Sequence, residues 1–499
     1  MASRARLAGI LAGALLSLVA AMAVRTATVE SKQQAPDGPP EPVDTSLAAS
    51  LVSEAVAFPT ISGREHAQAF SDFHTWHRAR FPVFYETVGV GADTLNQSLL
   101  FVWKGSDPDL EPVLFLAHQD VVPVEAGTEG DWTYPPFSGA IAPCGEVQGD
   151  CVWGRGTIDM KVTLVALTHA VEVLANAGWT PTRTLYFWFS DDEEIGGAAS
   201  QDLDQRLEDA EVQFGFILDE GLVVTDGLVP GVQAPAALIG IAEKGYLSVE
   251  ITASGGMGHS SMPPPTTTVG DLSRVIAALE ADPMPASLDG PAEAMFAHLA
   301  PEMKMPERAV FSNLWLTRSL VLGQLEAGRA TNALVRTTQA ATQLFASEAD
   351  NVLPQKSRAV VNYRLHPRDS MASVQARVQG IADSTGGDVT VKPFRAGGNV
   401  DPSKVSPVDH PGYRFIHAAM RRELPESVVA PGLFIAATDS RHLQERSDAT
   451  YRFAPIRMQP HDVGRAHGTD ERVRVADLGW AFAFYRDIVR SAGDWTTVN

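Results

Sequence analysis

Three short runs in the first half of the chain are apolar at nearly every position: 113–117 (Val-Leu-Phe-Leu-Ala), 185–189 (Leu-Tyr-Phe-Trp-Phe) and 214–218 (Phe-Gly-Phe-Ile-Leu). Runs of this length without a polar face fit strands buried on both sides, as in parallel sheets. Between the first two, residues 160–177 are apolar at helical spacing, and Gly178 with Pro181 beyond it marks the stop. The alternation of strand and helix over 47–243 predicts an α/β domain with a mainly parallel central sheet and helices on both faces. From Gly245 the period changes. Residues 246–251 (Tyr-Leu-Ser-Val-Glu-Ile) alternate apolar and polar, as in a strand with one wet face, and 359–365 could be the partner strand. Residues 371–381 read as an amphipathic helix and 389–391 as a last strand. This predicts an inserted α+β domain over 245–394. Within it, 283–344 carries Phe296, Leu299, Phe311, Leu314, Trp315 and Leu316, more apolar material than a small domain needs for its own core. From about Ala396 the chain should return to the first domain and end in a helix over 475–489.

The N-terminus has another pattern. Arg4 and Arg6 precede an apolar run, 7–24, with Ala21-Met22-Ala23 as a small-x-small cleavage site. This reads as a signal peptide or an uncleaved signal anchor, and the chain is expected to be exported: periplasmic or secreted, with a membrane anchor as the alternative. Pro36, Pro39, Pro40 and Pro42 make the next stretch an extended tether without packed structure. The expected division is 1–24 signal or anchor, 25–46 tether, 47–244 first part of the main domain, 245–394 insertion, and 395–499 second part.

The 499 residues carry 39 Lys and Arg against 60 Asp and Glu, a formal charge of −21. So acidic a chain is a poor match for a phosphate backbone, and no nucleic-acid partner is expected. Two cysteines exclude a disulfide scaffold and a thiolate zinc finger. Cys144 and Cys151 flank a short loop and could pair, or remain two free thiols.

Chemistry gathers where the apolar runs stop. The first ends in His118-Gln119-Asp120, the second in Ser190-Asp191-Asp192-Glu193-Glu194, the third in Asp219-Glu220. In α/β sheets, ligands bind beyond the carboxyl ends of strands, so these residues should share one crevice. Gly154-Arg155-Gly156-Thr157-Ile158-Asp159 precedes the long helix and adds Asp159 at its start. A single strand-end histidine is usually inert, and an acidic run is usually a solvated turn. Their joint appearance after three buried strands favours imidazole-plus-carboxylate ligation, which suits zinc, with cobalt or manganese as substitutes. Crowded carboxylates need cations, so two metals sharing a bridging carboxylate is the natural arrangement. Strand alternation puts Asp120 on the face of His118, where it could orient the imidazole.

His118-x-Asp120, Gly154-Arg155-Gly156-Thr157-x-Asp159-Met160-Lys161, Asp192-Glu193-Glu194 with Gly196-Gly197, and Gly258-His259-Ser260-Ser261 before Pro263 resemble peptidase family M20, the two-zinc exopeptidases and aminoacylases. Trp132-x-x-Pro135-Pro136-Phe137-Ser138-Gly139, Ala242-Glu243-Lys244-Gly245, Asn332-Ala333-Leu334-Val335-Arg336-Thr337-Thr338 and Thr438-Asp439-Ser440-Arg441 are similar to its branch of carboxypeptidase S and the N-fatty-acyl-amino-acid synthase/hydrolases. The resemblance implies two Zn²⁺ per subunit, bridged by Asp159. It assigns His118 and Asp219 to one ion and Glu194 and His467 to the other. Spacing alone does not choose His467 over His461 or His442. Glu193 is implied as general base, and Asp120, through its hold on His118, is expected among the catalytic residues with Glu193 and His259. His259 would steady the oxyanion from a lid/dimerisation domain, in many relatives across a homodimer interface. Asn351, Arg364 and Arg441 would contact substrate. Met160-Lys161 departs from the Asp-Lys of many relatives in this branch and should not touch the metal.

These roles describe one amide hydrolysis. The favoured substrates are N-acyl amino acids, with the fatty-acyl chain accepted by the apolar lid segment and the reaction reversible when amino acid is abundant. The alternatives are a Gly-X type metallocarboxypeptidase or dipeptidase acting on short peptides, and an inactive zinc- or peptide-binding relative. Equally, the apolar lid segment could be core or dimer interface.

Overall fold

A computed structural model describes residues 2–88, 97–395 and 398–497. The expected return point at Ala396 lies outside the described residues. In chain order the strands begin with β1 (Leu99–Trp103), β2 (Val113–His118), the hairpin β3 (Ala140–Pro143) and β4 (Asp150–Trp153), β5 (Leu185–Ser190), β6 (Phe216–Thr225) and β7 (Ala236–Glu243). The chain then enters β8 (Gly245–Ser254), β9 (Gly258–His259), β10 (Thr338–Phe345), β11 (Val352–Leu353), β12 (Lys356–Leu365) and β13 (Asp388–Pro393). It returns through β14 (Val428–Phe434), β15 (Thr450–Met458) and β16 (Arg472–Arg474).

The three buried runs become the centre of a seven-stranded sheet of order β1-β5-β2-β6-β15-β7-β14. β5, β2, β6 and β15 run parallel, while β1 pairs antiparallel to β5 and β7 antiparallel to β6. The helices are α1 (Ala2–Thr28), α2 (Thr45–Val56), α3 (Ala67–Arg80), α4 (Pro82–Val88), α5 (Val162–Asn176) and α6 (Ala198–Asp209), followed by α7 (Thr268–Ala281) and α8 (Gly290–Leu299). The remainder are α9 (Glu307–Phe311), α10 (Leu314–Ala327), α11 (Arg329–Val335), α12 (Met371–Thr385), α13 (Pro411–Glu423) and α14 (Val475–Gly493). α2, α4, α5, α13 and α14 pack into the core on one face of the sheet. α6 covers the other through Ala199, Leu203 and Leu207 against Leu114, Trp188 and Ile217. The expected α/β class, with helices on both faces, is what the chain adopts.

One strand differs from expectation. β6 does not stop at Asp219-Glu220 but runs on to Thr225. Its register against β15 slips there: Asp219 faces Arg452 and Leu222 faces Phe453, so Glu220 and Gly221 form a bulge. Gly221 has φ +145°, and a Cβ there would lie 2.6 Å from Arg452 Cβ.

The alternating segments build a second, antiparallel sheet of order β10-β12-β8-β13, where Tyr246 pairs with Arg364 and Leu247 with Tyr363. Its core takes Val275 and Leu279 from α7 and Val374 and Val378 from α12. Most of the apolar surplus of 283–344 goes elsewhere. Phe296 and Leu299 of α8, with Val321 and Leu325 of α10, pack against Val428 and Ala430 of β14, and Phe296 stacks on Phe311 at 4.5 Å. These helices cover the last strand of the large sheet, an edge that would otherwise stand open.

The proline-rich stretch was expected to lack packed structure, and the fold corrects this. Gln33 pairs with both backbone groups of Val429 on that same edge strand, at 2.9 and 2.7 Å. Glu41 meets Arg486 at 2.7 Å and Arg490 at 2.5 Å, and Asp37 meets Arg422 at 2.8 Å. An edge with free hydrogen-bonding groups and a cationic side of α13 and α14 hold the stretch down. Cys144 and Cys151 are disulfide-bonded across the β3–β4 hairpin.

A single residue, Lys244, joins the two sheets. Its Nζ donates to the carbonyls of Ala333 and Arg336 at 3.1 and 2.9 Å, and burial pushes its ammonium down to about 7. Beside it, buried Glu243 accepts from Arg452 Nε at 2.7 Å and from Thr438 Oγ1 at 2.9 Å. Breaking such a pair from one side strands the other charge. Arg452→Met is therefore expected to destabilise the protein by about 3–5 kcal/mol in denaturant titration. Glu243→Gln with Arg452→Met should recover part of the loss.

Candidate metal centre

β2 and β5 end side by side, with His118 opposite Ser190, and β6 lies on the other side of β2. Their carboxyl ends bring His118 and the bulge of β6 into one crevice. His118 is buried, and its Nδ1 lies 2.9 Å from the carbonyl of Asp120 and 3.4 Å from Asp120 Oδ1. That contact leaves Nε2 facing inward, 2.9 Å from Asp159 Oδ1 and 3.4 Å from Glu220 Oε1. The other Asp120 oxygen, Oδ2, accepts from Ser62 Oγ at 2.6 Å and from the Glu194 amide at 3.2 Å.

Asp159 sits in an irregular turn, Thr157–Lys161, just ahead of α5. The turn needs Gly156, where φ is +85° and a Cβ would meet Val121 Cγ1 at 2.5 Å. The second Asp159 oxygen, Oδ2, is 3.0 Å from His467 Nε2, which is also 3.0 Å from Glu194 Oε2. Two triads result, His118–Asp159–Glu220 and Asp159–Glu194–His467, each with ligand atoms within 4.8 Å of one another. His461 approaches Asp462 and His442 the carbonyl of Gly196, while His467 meets the carboxylates.

Asp219, expected as a ligand of the first ion, stands outside the two triads. Its Oδ1 accepts from the Glu220 amide at 2.8 Å and its Oδ2 from the Ser440 amide at 2.8 Å, so both oxygens are used by backbone. The bulge turns the next residue, Glu220, toward His118 instead. Gly221 inside an apolar strand pattern was the one sign of a bulge in the sequence.

Charge in the crevice favours a cation. Hydrogen bonds to Asp159 and Glu194 push the His467 imidazole up to about 10. Burial, with Asp159 and Asp219 nearby, pushes Glu220 up to about 8. Burial and the charges of Asp439, Glu220 and Glu194 hold Glu193 well above the carboxylate range. Burial opposes it, but His118 and His467 keep Asp159 below that range. Carboxylates so crowded retain protons unless cations replace them. Glu194 Oε1 is buried without a hydrogen-bond partner, which fits a set of imidazole nitrogens and carboxylate oxygens arranged for metal.

Of the other expected residues, Glu193 lies in the turn Glu193–Ile195, with Oε1 3.9 Å from Arg441 Nη1. Arg364 lies over the Tyr246 ring at 4.7 Å; burial lowers its guanidinium, and the charge of Arg441 adds to this. His259 and Asn351 stand together on the exposed ribbon β9–β11, where Val352 pairs with His259, and the Asn351 carbonyl accepts from the Ser260 amide. Neither belongs to the two triads. Met160 is buried in the core, consistent with a residue that does not touch metal.

Two residues of the site were not singled out from sequence. Glu471, fully buried, accepts from the Ile158 and Asp159 amides at 2.8 and 3.2 Å, and pairs with Arg155 at 2.8 Å. Arg155 in turn donates to the His467 carbonyl at 3.2 Å. The pair ties the loop of Asp159 to the loop of His467.

A family model described as peptidase family M20/M25/M40 matches residues 114–491. An N-fatty-acyl-amino acid synthase/hydrolase of Danio rerio is 37% identical over 446 residues, covering 88% of this chain and 84% of its own length. Carboxypeptidase S of Saccharomyces cerevisiae is 29% identical over 466 residues, 85% of this chain and 79% of its own. Among solved structures, an M20 family metallo-carboxypeptidase of Sulfolobus solfataricus superposes with TM-score 0.60 at 16% identity, over 89% of this chain and 99% of that one. Human carnosine dipeptidase 1 does so with TM-score 0.57 at 16% identity, over 90% and 96%.

Residues that orient ligands typically change metal affinity about 10–100-fold. Glu471→Gln, which keeps the shape but discharges the Arg155 pair, is expected to weaken zinc binding by that amount when the metal-free protein is titrated against a chelating dye. Unchanged affinity would remove Glu471 from this role.

Proposed function

The chain belongs to peptidase family M20/M25/M40, a family of metal-dependent hydrolases, and within it we propose a two-zinc amidohydrolase that cleaves N-acyl amino acids bearing long acyl chains. One observation carries the chemistry: Asp159 extends one oxygen toward each of two imidazole–carboxylate groups. The choice of substrate draws support from the similarity to the Danio rerio N-fatty-acyl-amino acid synthase/hydrolase along most of both chains.

In this reading His118, Asp159 and Glu220 hold one ion, and Asp159, Glu194 and His467 the other. Cobalt or manganese would suit the same ligands. Bound ions would supply Lewis acidity toward the amide carbonyl and lower the pKa of water. Glu193 takes the proton of the attacking water and delivers it to the leaving nitrogen. Arg441, beside Glu193, and Arg364 offer guanidinium forks for the free carboxylate of the amino acid. His259 steadies the developing oxyanion once its ribbon is brought over the crevice.

The division into 47–244, 245–394 and 395–499 is proposed with it, the middle unit acting as lid. A homodimer through the lid draws support from β10, an outer strand of the second sheet, with Leu344 62% and Phe345 47% exposed. Export to the periplasm or the medium follows from α1, whose segment Gly9–Thr28 is long and apolar enough to cross a membrane and only 6% buried. Removal of a C-terminal residue from short peptides is the second reading, favoured by the similarity to carboxypeptidase S.

Metal analysis tests the ligands. Glu220→Ala should lose about one of two ions, whereas Asp219→Asn should retain both. The substrate is tested by supplying a fatty-acyl-phenylalanine and a blocked glycyl-leucine separately, with and without chelator, and measuring released amino acid by mass spectrometry. Chelator-sensitive preference for the acyl substrate is expected, and Glu193→Gln should lower turnover about 10²–10⁴-fold with metal retained. Preference for the dipeptide would favour the carboxypeptidase reading.

A further inference from the structure

The exposed positions of α10 are Trp315, Leu316, Ser319, Leu320, Gly323, Gln324, Glu326 and Ala327, and the one charged residue among them, Glu326 in the last turn, is paired with Arg336. Trp315 is 52% exposed, Leu316 42% and Leu320 70%. The opposite face is also apolar: Val321 and Leu325 are buried against β14. A helix apolar on both sides is usually covered on both. In a chain of charge −21, an outer face whose one charged residue is a paired glutamate at its end is out of keeping with the rest of the surface.

The position of this face indicates what covers it. Asn313, fully buried at the start of α10, donates through Nδ2 to the Met22 carbonyl at 3.3 Å and to Thr26 Oγ1 at 3.0 Å. Arg25 Nε donates to the Ser312 carbonyl at 2.9 Å, and Arg308 Nε to the Thr26 carbonyl at 3.2 Å. The last turns of α1 are thus fixed to the beginning of α10, two residues from Trp315. From that point α1 runs outward as an apolar helix, with Leu11, Leu15, Leu16 and Val19 more than half exposed. A bilayer that receives α1 would have its surface near the docked turns, level with Trp315. Tryptophan favours that boundary, leucines enter the acyl region below it, and the guanidiniums of Arg25 and Arg308 suit lipid phosphates.

We propose that the outer face of α10 rests on the surface of a phospholipid bilayer, so that α1 and α10 form one membrane-contacting unit. The proposal uses the reading of α1 as a membrane segment. It adds a route for the fatty-acyl substrate class, since such amphiphiles partition into lipid and would be met at the surface where they concentrate.

The test uses the full chain. Its two native cysteines are bonded to each other, so Leu320→Cys or Leu316→Cys supplies a single thiol for an environment-sensitive NBD label. Leu15→Cys reports on α1, and Glu280→Cys, on an exposed position of the lid helix, serves as control. On reconstitution into phosphatidylcholine vesicles, labels at 320 and 316 should shift to the blue, brighten and be quenched by lipids spin-labelled near the headgroup, while the label at 280 stays wet. A buried label at 15 with wet labels at 316 and 320 would overturn the proposal while leaving the anchor intact. Labels at 316 and 320 that are shielded without vesicles and become exposed on dilution would mean that a second copy covers the face, which also overturns it. No shielding at any position would do the same. Fluorescence is independent of turnover: a protein that shields 320 yet fails to cleave fatty-acyl-phenylalanine would refute the substrate reading and keep the docking surface.

Discussion

Much of this structure follows from one electrostatic constraint. Asp159, Glu193, Glu194 and Glu220 crowd around two imidazoles, that of His118 buried and that of His467 at the open side of the crevice. Such a cluster is unfavourable as free anions, and its groups hold protons or cations in compensation. The large sheet supplies the frame: buried parallel strands deliver their carboxyl ends to one edge, and rigid backbone keeps like charges close that would separate on a flexible loop.

Holding the ligands needs more than strands. Asp159, shared by the two triads, lies in an irregular turn, and His467 lies in a loop where its φ is +61°. Neither is placed by regular hydrogen bonding. Buried Glu471 grips the amides ahead of the carboxylate, and Arg155 carries that grip to the His467 carbonyl. Asp120 does the equivalent on the other side, touching both the imidazole of His118 and the amide of Glu194. The two triads are thereby coupled through side chains that belong to neither.

The edge of the large sheet shapes the other end of the molecule. β14 would leave a row of backbone groups open, and the helices α8 to α11 and Gln33 cover it, while Asp37 and Glu41 anchor the following stretch to α13 and α14. Covering that strand brings the end of α1 against α10, so the N-terminal segment and the apolar outer face of α10 become neighbours.

The sequence by itself determined the architecture and most of the centre. Uniformly apolar runs gave β2, β5 and β6, the change to alternating period marked the second sheet, and strand ends rich in histidine and carboxylate marked the crevice. These features are local, set by burial and periodicity over a few residues. Three matters were decided only by the tertiary structure. Glu220 rather than Asp219 faces His118, because a bulge against β15 shifts the alternation by a step that local sequence does not specify. The apolar surplus of 283–344 covers β14 instead of enlarging the core of the second sheet, because the need for cover arises at a strand more than eighty residues farther on. The Arg155–Glu471 pair joins positions 316 residues apart, and no periodicity connects residues that meet only when the chain has closed on itself.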